Sequence, residues 1–263
     1  MNKELLYQNK KICYSVYGNG QSVILIHGFG EEASIWKNQV ASLKEKFQLI
    51  VPSLPGSGKS EIIEDMSMEG MAEVINAIIL HENIAPCPVI GHSMGGYITL
   101  AFVEKYPEYV TAFGLFHSTA FADNEEKKAI RRKGIQFIRQ NGAFEFLKTA
   151  TSNLFSPKTK NENPELINEQ VASLNNFSSI ALVLYYEAMM KRPDRTEVLR
   201  KAAVPVLFIM GTFDVAVPVE DGLKQCQLPE KSYFHILQHS GHMGMLEELE
   251  NSNRILEEFL LET

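Results

Sequence analysis

The sequence predicts an α/β fold: a mostly parallel β-sheet with helices on both faces, interrupted once by a helical insertion. Two observations indicate this class. Short apolar runs rich in β-branched residues alternate with amphipathic segments, as strands and helices do around a parallel sheet. The alternation stops between residues 122 and 201, where only helical patterns occur, and then resumes. We therefore predict a core domain of residues 1–121 and 202–263 and a helical insertion at 122–201.

The individual elements follow from the spacing of apolar residues. We predict strands over residues 11–17, 22–26, 48–51, 88–90, 109–116, 204–210 and 232–237. We predict helices over residues 32–46, 67–80, 94–105 and 243–261. The segments SVILI (22–26) and VPVLFIM (204–210) are continuous apolar runs, typical of strands covered on both faces. Within the insertion, Asn141-Gly142, Ser156-Pro157 and Asn163-Pro164 mark the breaks between helices.

The composition argues against a nucleic-acid partner. The 263 residues include 32 Asp and Glu against 25 Lys and Arg, a formal net charge of −7. Nucleic-acid affinity depends on clustered Lys and Arg that neutralise phosphates. The one basic cluster, Lys127-Lys128 with Arg131-Arg132-Lys133, is interpreted as a solvated helix face.

Cysteine usage and the N-terminal segment predict a cytoplasmic protein. Cys13, Cys87 and Cys226 are widely separated and show no CxxC spacing, so we interpret them as small buried residues in a reducing compartment. Residues 1–20 lack the apolar stretch of a signal peptide. No apolar run approaches the roughly 18 residues that a membrane span requires. We expect no membrane contact, and a monomer or a homodimer.

The motif Gly91-His92-Ser93-Met94-Gly95 lies between a predicted strand and a predicted helix. A G-x-S-x-G sequence in this context predicts a sharp strand-to-helix turn that exposes the serine hydroxyl at the sheet edge. The following helix begins at the motif, so its N-terminal N–H groups face any oxyanion formed there. Ser93 is therefore the predicted nucleophile.

A serine hydroxyl needs a base, and His242 is the predicted one. It follows the last strand, at the same carboxyl edge of the sheet from which Ser93 emerges. The other histidines are assigned other roles. We expect a rim or structural role for His239, packing behind the turn for His92, hydrogen bonding for His27, and no catalytic role for His81 and His235.

The imidazole must be oriented by a carboxylate, for which Asp214 is the predicted residue. It follows the strand at 204–210, and the order Ser, Asp, His along the chain is the one associated with this kind of turn. Asp221, Glu220 and Glu247 are the rival acids, and each lies in or near a helix. Asp214 as a simple helix N-cap is the alternative.

Two backbone N–H groups are needed to bind the oxyanion, and Phe29 and Met94 are the predicted donors. Phe29 follows the strand at 22–26, and Met94 follows the nucleophile. Gly28 and Gly30 leave the backbone free to approach the substrate.

Taken in order, these motifs closely resemble the α/β-hydrolase superfamily over nearly the whole chain. The matching segments are LIHGFG with Trp36 downstream, PSLPGSGKS, VIGHSMGGYITL, VPVLFIMGTFDVAVP and HSGHMGMLEE. The resemblance implies an eight-stranded, mostly parallel sheet and an insertion that forms a helical cap over the active site. It also implies a triad of Ser93, His242 and Asp214 with the oxyanion donors Phe29 and Met94.

The segment PSLPGSGKS departs from two patterns. Relatives often carry an aspartate where this chain has Ser53, but that residue is structural in the superfamily, so the departure does not put activity in doubt. A P-loop would need glycine at position 53 and a helix directly after Ser60, and neither is expected here. ATP binding is therefore rejected.

A serine nucleophile favours acyl transfer, with attack on an ester, thioester or amide carbonyl. We predict hydrolysis of a small or medium carboxylic ester without a metal or organic cofactor. The same triad serves carbon–carbon hydrolases, perhydrolases of the haloperoxidase kind and lyases, and slow-turnover small-molecule receptors share the fold; these stay open as alternatives.

Substrate contacts are predicted for Gly28, His117, Tyr185 and Tyr186. Tyr185 and Tyr186 belong to the aromatic residues of the insertion, and the alternative is that they form the insertion's own core. His117 follows the strand at 109–116, and its alternative role is hydrogen bonding at the hinge of the insertion.

Overall fold

An eight-stranded β-sheet forms the centre of the computed structural model, which describes residues 1–263. The strands are β1 (Asn2–Tyr7), β2 (Lys10–Tyr17), β3 (Gln21–Ile26), β4 (Phe47–Pro52), β5 (Cys87–His92), β6 (Val110–Phe116), β7 (Val206–Gly211) and β8 (Ser232–Leu237). Their order in the sheet is β1-β2-β4-β3-β5-β6-β7-β8. The pairs β1·β2 and β2·β4 are antiparallel and all the others are parallel. The predicted α/β class and the eight-stranded sheet are confirmed.

Twelve α-helices surround the sheet. They are α1 (Lys37–Leu43), α2 (Met68–Glu82), α3 (Met94–Lys105), α4 (Glu125–Asn141), α5 (Ala143–Asn153), α6 (Pro157–Glu162), α7 (Pro164–Ala172), α8 (Ser179–Lys191), α9 (Thr196–Arg200), α10 (Val219–Gln225), α11 (Gly244–Glu247) and α12 (Leu249–Leu261). Short 3₁₀ helices occupy Ala33–Trp36 and Pro107–Tyr109. None of the helices has both the length and the apolar character needed to cross a bilayer.

Strand β1 is the element that the apolar pattern did not predict. It pairs with β2 across a turn at Gln8 and Asn9, both of which have positive φ angles of 50° and 62°. Only Leu5 of this strand is buried, and Leu6 is 77% exposed. A strand with one buried side chain at the sheet edge carries almost no period-2 signal, because pairing with β2 stabilises it more than burial does.

Two predicted helices are each divided into two pieces. The segment 32–46 forms the 3₁₀ helix Ala33–Trp36 followed by α1, and the segment 243–261 forms α11 and α12. The break in the second segment is at Glu248, whose φ of −124° and ψ of 62° lie outside the helical region. Apolar spacing continues through such a break, so periodicity alone does not locate it.

The parallel strands bring distant residues to one edge of the sheet. Every residue of β5 and of β7 is buried, as expected for strands covered by helices on both faces. His92 at the end of β5 is paired with Phe116 at the end of β6, which is paired with Ile209 in β7. The loops that follow these three strands therefore start side by side.

The cap segment, residues 122–201, lies between β6 and β7 and contains helices α4 to α9 and no strand. It packs on the core through a continuous apolar cluster that includes Leu147, Leu182 and Tyr185. The Tyr185 hydroxyl donates a 2.6 Å hydrogen bond to the Pro55 carbonyl in the core. The division of the chain into domains at residues 121 and 201 stays a prediction.

The Tyr185 hydroxyl gives a test of how the cap segment is fixed. We expect Tyr185→Phe to lower the free energy of unfolding by about 1–3 kcal/mol, because the substitution leaves the Pro55 carbonyl without a partner. Chemical denaturation measures the change. The control is Tyr186→Phe, since that neighbouring side chain lines a cavity; equal effects of the two variants would contradict the assignment.

Candidate active site

Ser93 lies at the sharp turn between β5 and α3 with a φ of 51° and a ψ of −117°. A positive φ is costly for a residue with a side chain, and strained residues of this kind cluster at active sites. The turn is held by a 2.9 Å hydrogen bond from the Ser93 N–H to the Phe116 carbonyl, and the Ser118 hydroxyl donates to the Ser93 carbonyl at 2.7 Å. The geometry is that of a nucleophile elbow.

The glycines of the motif permit this turn. A Cβ added to Gly91 would lie 2.3 Å from the Gly95 carbonyl carbon, and one added to Gly95 would lie 2.4 Å from the Ile26 carbonyl oxygen. Both contacts are with backbone atoms, which have no room to move. Glycine is therefore required at both positions, because α3 lies too close to strands β3 and β5 to leave room for a Cβ atom.

Asp214 is a buried carboxylate that accepts four hydrogen bonds. His242 Nδ1 lies 2.7 Å from Asp214 Oδ2, and His117 Nδ1 lies 3.1 Å from the same oxygen. The backbone N–H groups of Ala216 and Val217 both donate to Oδ1 at 2.8 Å. The two bonds to Oδ1 are those of a turn residue. The alternative that Asp214 is a helix N-cap is wrong, because the next helix, α10, has Pro218 as its N-cap.

The rival acids have other partners. Glu247 accepts hydrogen bonds from Ser156, Thr159 and Gly241 and so connects the cap segment with the loop before His242. Asp221 Oδ2 lies 3.9 Å from Lys127 Nζ, and the Glu220 side chain is exposed to solvent.

The charges of Asp214 and His242 stabilise each other. Burial alone would raise the pKa of Asp214, but the adjacent His242 and His117 imidazoles outweigh burial and hold it well below its usual value. Burial alone would lower the pKa of His242, but the charge and hydrogen bond of Asp214 outweigh burial and raise it above 6.5. Because His242 Nδ1 faces the carboxylate, Nε2 is the nitrogen left to act as a base.

His117 does not face the cavity as the predicted substrate contact would. It is fully buried, and its Nε2 accepts a 3.2 Å hydrogen bond from the Gly244 N–H. Nε2 therefore carries the lone pair, and Nδ1–H donates to Asp214. Burial is the main cause that lowers the pKa of His117 to about 4, so the ring is neutral at pH 7. Its position makes it a second, structural imidazole on the Asp214 carboxylate.

The backbone of His242 is held on two sides. Its N–H donates a 2.7 Å hydrogen bond to the Leu154 carbonyl of the cap segment, and its carbonyl lies 3.0 Å from His92 Nε2. The other nitrogen of His92 lies 2.9 Å from Glu31 Oε2, an oxygen that also accepts from the Gly28 N–H at 2.7 Å. This chain of bonds connects the His242 loop with the loop after β3.

The predicted oxyanion donors have free N–H groups. Neither the Phe29 N–H nor the Met94 N–H donates a hydrogen bond within the protein. By contrast, the Gly28 N–H is taken up by Glu31, and a Cβ added to Gly28 would lie 3.1 Å from Ser93 Cβ. Gly28 therefore packs against the elbow, whereas the N–H groups of both predicted donors remain unpaired.

A cavity of about 130 Å³ joins the Ser93 and His242 side chains. Its lining comprises Phe29, Glu31, Ser93, Tyr97, Arg131, Ala150, Leu154, Tyr186, Met189, Ala216, Val217 and His242. The Ser93 hydroxyl and the His242 imidazole make no hydrogen bond with each other, a separation common in sites without substrate. Tyr186 lines the cavity as predicted, whereas Tyr185 bonds to Pro55 and does not.

Arg131 is a lining residue that the sequence interpretation missed. The basic cluster at 127–133 was interpreted as a solvated face, which holds for Arg132 with 55% of its side chain exposed but not for Arg131 with 17%. Arg131 shares a helix face with Ile135 and Ile138, both buried. This i, i+4, i+7 spacing was the available signal.

His117, Asp214 and His242 bring three ligand-type atoms within 4.8 Å of one another, a spacing compatible with a metal ion. Their hydrogen bonds account for the cluster without one. Both Nδ1 atoms face Asp214 as donors, and His117 Nε2 is occupied by the Gly244 N–H. A metal would need lone pairs at these nitrogens, so the donor set does not fit a metal centre.

A family model described as the α/β hydrolase fold matches residues 21–249. The chain belongs to the α/β-hydrolase family. Its predicted superfamily and the prediction of a hydrolytic enzyme are thereby confirmed.

Known members of the α/β-hydrolase family are similar over the whole chain. The 3-oxoadipate enol-lactonase 1 of Acinetobacter baylyi is 23% identical over 96% of this chain and 94% of its own length. The 2-hydroxy-6-oxo-6-(2'-aminophenyl)hexa-2,4-dienoic acid hydrolase of Metapseudomonas resinovorans is 26% identical over 90% of this chain and 83% of its own. The structure of a thermophilic esterase from Thermogutta terrifontis, with malate bound, superposes with a TM-score of 0.93 at 26% identity, covering 100% of this chain and 98% of that one.

The raised pKa of His242 predicts the pH dependence of this α/β-hydrolase. Neutral His242 is the basic form, so we expect kcat/KM to rise with pH through an acid limb that lies above pH 6.5. Asp214→Asn should move the limb to lower pH and lower the plateau about 10⁴-fold. Initial rates with an activated aryl ester measure both. Asp221→Asn is the control, and a limb that stays in place in Asp214→Asn would contradict the assignment.

His117 is expected to act as a positioning residue. We expect His117→Phe to lower the free energy of unfolding by about 2 kcal/mol, because Asp214 and the Gly244 N–H each lose a buried hydrogen bond. We also expect kcat to fall about 10- to 100-fold with KM nearly unchanged, since only the orientation of His242 changes. Thermal melts and steady-state kinetics measure these effects, and exposed His239→Phe is the control. A large rise in KM without loss of stability would restore the role of substrate contact.

Proposed function

We propose that this α/β-hydrolase cleaves small or medium carboxylic esters through an acyl-enzyme intermediate formed on Ser93. The observation that carries the proposal is the joint presence, around one cavity, of a serine on a strained elbow and of a histidine oriented by a buried carboxylate. The esterase and enol-lactonase relatives support ester hydrolysis in general. The specific triad and oxyanion assignments rest on the geometry.

The acylation step follows from the tautomer of His242. Nε2 takes the proton of the Ser93 hydroxyl as Oγ attacks the ester carbonyl carbon. The tetrahedral oxyanion is bound by the free N–H groups of Phe29 and Met94, at the positive end of helix α3. The His242 imidazolium is stabilised by Asp214 and then protonates the departing alcohol oxygen, which leaves the acyl-enzyme.

Deacylation repeats the same transfers with water. His242 Nε2 takes a proton from a water molecule as that water attacks the acyl carbonyl carbon. The second tetrahedral intermediate collapses to the carboxylic acid, and the proton returns to Ser93 Oγ.

The size of the cavity favours a small substrate. Its volume of about 130 Å³ is below the roughly 300 Å³ at which pockets for drug-sized ligands begin. Its apolar lining comes from both the core and the cap segment, including Phe29, Leu154 and Met189. We therefore expect a decline in kcat/KM with increasing acyl length.

The test is hydrolysis of 4-nitrophenyl esters of graded acyl length by the wild type, Ser93→Ala and His242→Ala. We expect both variants to lose about 10³-fold or more in kcat/KM. His239→Ala is the matched control, because this exposed histidine lies three residues before His242. Mass spectrometry of a quenched reaction should place the acyl group on Ser93.

Equal inactivity of the wild type and Ser93→Ala toward every ester would overturn the proposal. Carbon–carbon hydrolysis, proton-abstraction chemistry or ligand reception would then be the functions to examine. Turnover of esters in the wild type without any acyl adduct on Ser93 would contradict the mechanism while keeping the activity.

A further inference from the structure

We propose that Arg131 is a binding site for a carboxylate, so that the ester hydrolysed at Ser93 carries a free carboxylate group. The inference rests on the proposed function and adds the class of substrate. Arg131 is the only Lys or Arg among the residues that line the cavity of Ser93 and His242. The planar guanidinium of an arginine matches a carboxylate through two parallel N–H···O bonds.

The guanidinium of Arg131 is fixed by Asp123 and still has N–H donors without a hydrogen-bond partner. Nε and Nη2 donate to the two carboxylate oxygens of Asp123, at 2.5 Å and 3.2 Å. The group also lies over the Tyr186 ring, 5.5 Å from the ring centroid. A guanidinium has five N–H groups, and these two bonds leave three of them, including the whole Nη1/Nη2 edge. That edge has the spacing for a second, bidentate carboxylate.

Arg131 shares its one carboxylate partner, Asp123, with a second arginine. Asp123 is fully buried and is shared with Arg192, whose Nη1 lies 2.9 Å from Asp123 Oδ1. The cluster of two arginines and one aspartate therefore has one positive charge in excess. Arg192 does not face the cavity, because its guanidinium donates to the Met189 and Phe121 carbonyls and stacks on Tyr97 at 3.8 Å. The excess charge is thus available only at Arg131.

Glu31 is the one carboxylate that lines the cavity, and it makes no hydrogen bond with Arg131. Its partners are His92 and the Gly28 N–H. The free N–H edge of Arg131 and the small volume of the cavity therefore favour a compact, planar anion with a single charge. A carboxylate meets this condition, whereas a phosphate dianion would bring a second charge and a larger, tetrahedral group into about 130 Å³.

The test compares matched pairs of esters that differ in one carboxylate. Mono-4-nitrophenyl adipate and 4-nitrophenyl hexanoate place the difference in the acyl part, and 4-acetoxybenzoate and 4-methylphenyl acetate place it in the alcohol part. We expect wild-type kcat/KM to favour the anionic ester about tenfold or more in at least one pair. Arg131→Met should lower the ratio of kcat/KM between the anionic and the neutral member of that pair at least tenfold.

The variants are chosen so that the fold is kept. Arg131→Met leaves Asp123 paired one-to-one with Arg192, so no buried charge loses its last partner. Arg131→Lys keeps the positive charge but lacks the paired N–H donors of a guanidinium. This variant should retain part of the preference for the anionic ester. Arg132→Met is the control, because this adjacent arginine is 55% exposed and pairs only with Glu125. Thermal melts verify that each variant is folded.

A binding measurement separates this proposal from the proposed function. We expect calorimetric titration with hexanoate or benzoate to give at least tenfold weaker binding to Arg131→Met than to the wild type. Hydrolysis of neutral esters that depends on Ser93, without preference for the anionic member of either pair, would overturn the carboxylate site and leave the esterase function standing. Binding of the carboxylates that depends on Arg131, with no ester hydrolysed, would support the site and refute the esterase function.

Discussion

The buried carboxylate of Asp214 is the constraint on which the site depends. A charged group without solvent must be surrounded by donors, and here they come from three loops: its own turn after β7, His117 after β6 and His242 after β8. Satisfying one carboxylate therefore fixes how the three loops lie relative to one another. Because His242 is one of the donors, the contacts that satisfy the buried carboxylate also orient the imidazole that we propose as the base.

Most of the fold follows from the sequence because the central strands of the sheet are buried on both faces. The apolar runs at β3, β5 and β7 can be recognised as strands from the local sequence alone. In a parallel sheet, the carboxyl ends of these strands lie side by side. Strand β1 and the break at Glu248 were not predictable in this way. The first is stabilised by pairing with β2 and the second by local backbone geometry, and neither leaves a periodic pattern.

The candidate site was predictable where a residue type and its neighbours form a motif, and not where a role depends on a distant partner. Ser93 and Asp214 each have a diagnostic position at a strand end. The bond between His117 and Asp214 joins residues 97 apart in sequence, and only the tertiary structure sets the ring toward the carboxylate. Arg131 stands between these cases, because helical spacing placed it on the buried face of α4 whereas the charged residues beside it suggested solvent.

The core and the cap segment contribute different parts of the cavity. Strand-end loops supply Ser93 and His242, and the cap segment supplies Arg131 and Tyr186. Substitutions in α4 or α8 can therefore change which substrate fits without altering the hydrogen bonds of Asp214. The exception is Leu154, whose carbonyl accepts the His242 N–H and joins the cap backbone directly to the base. A displacement of the cap segment at Leu154 would therefore break this hydrogen bond or shift the backbone of His242.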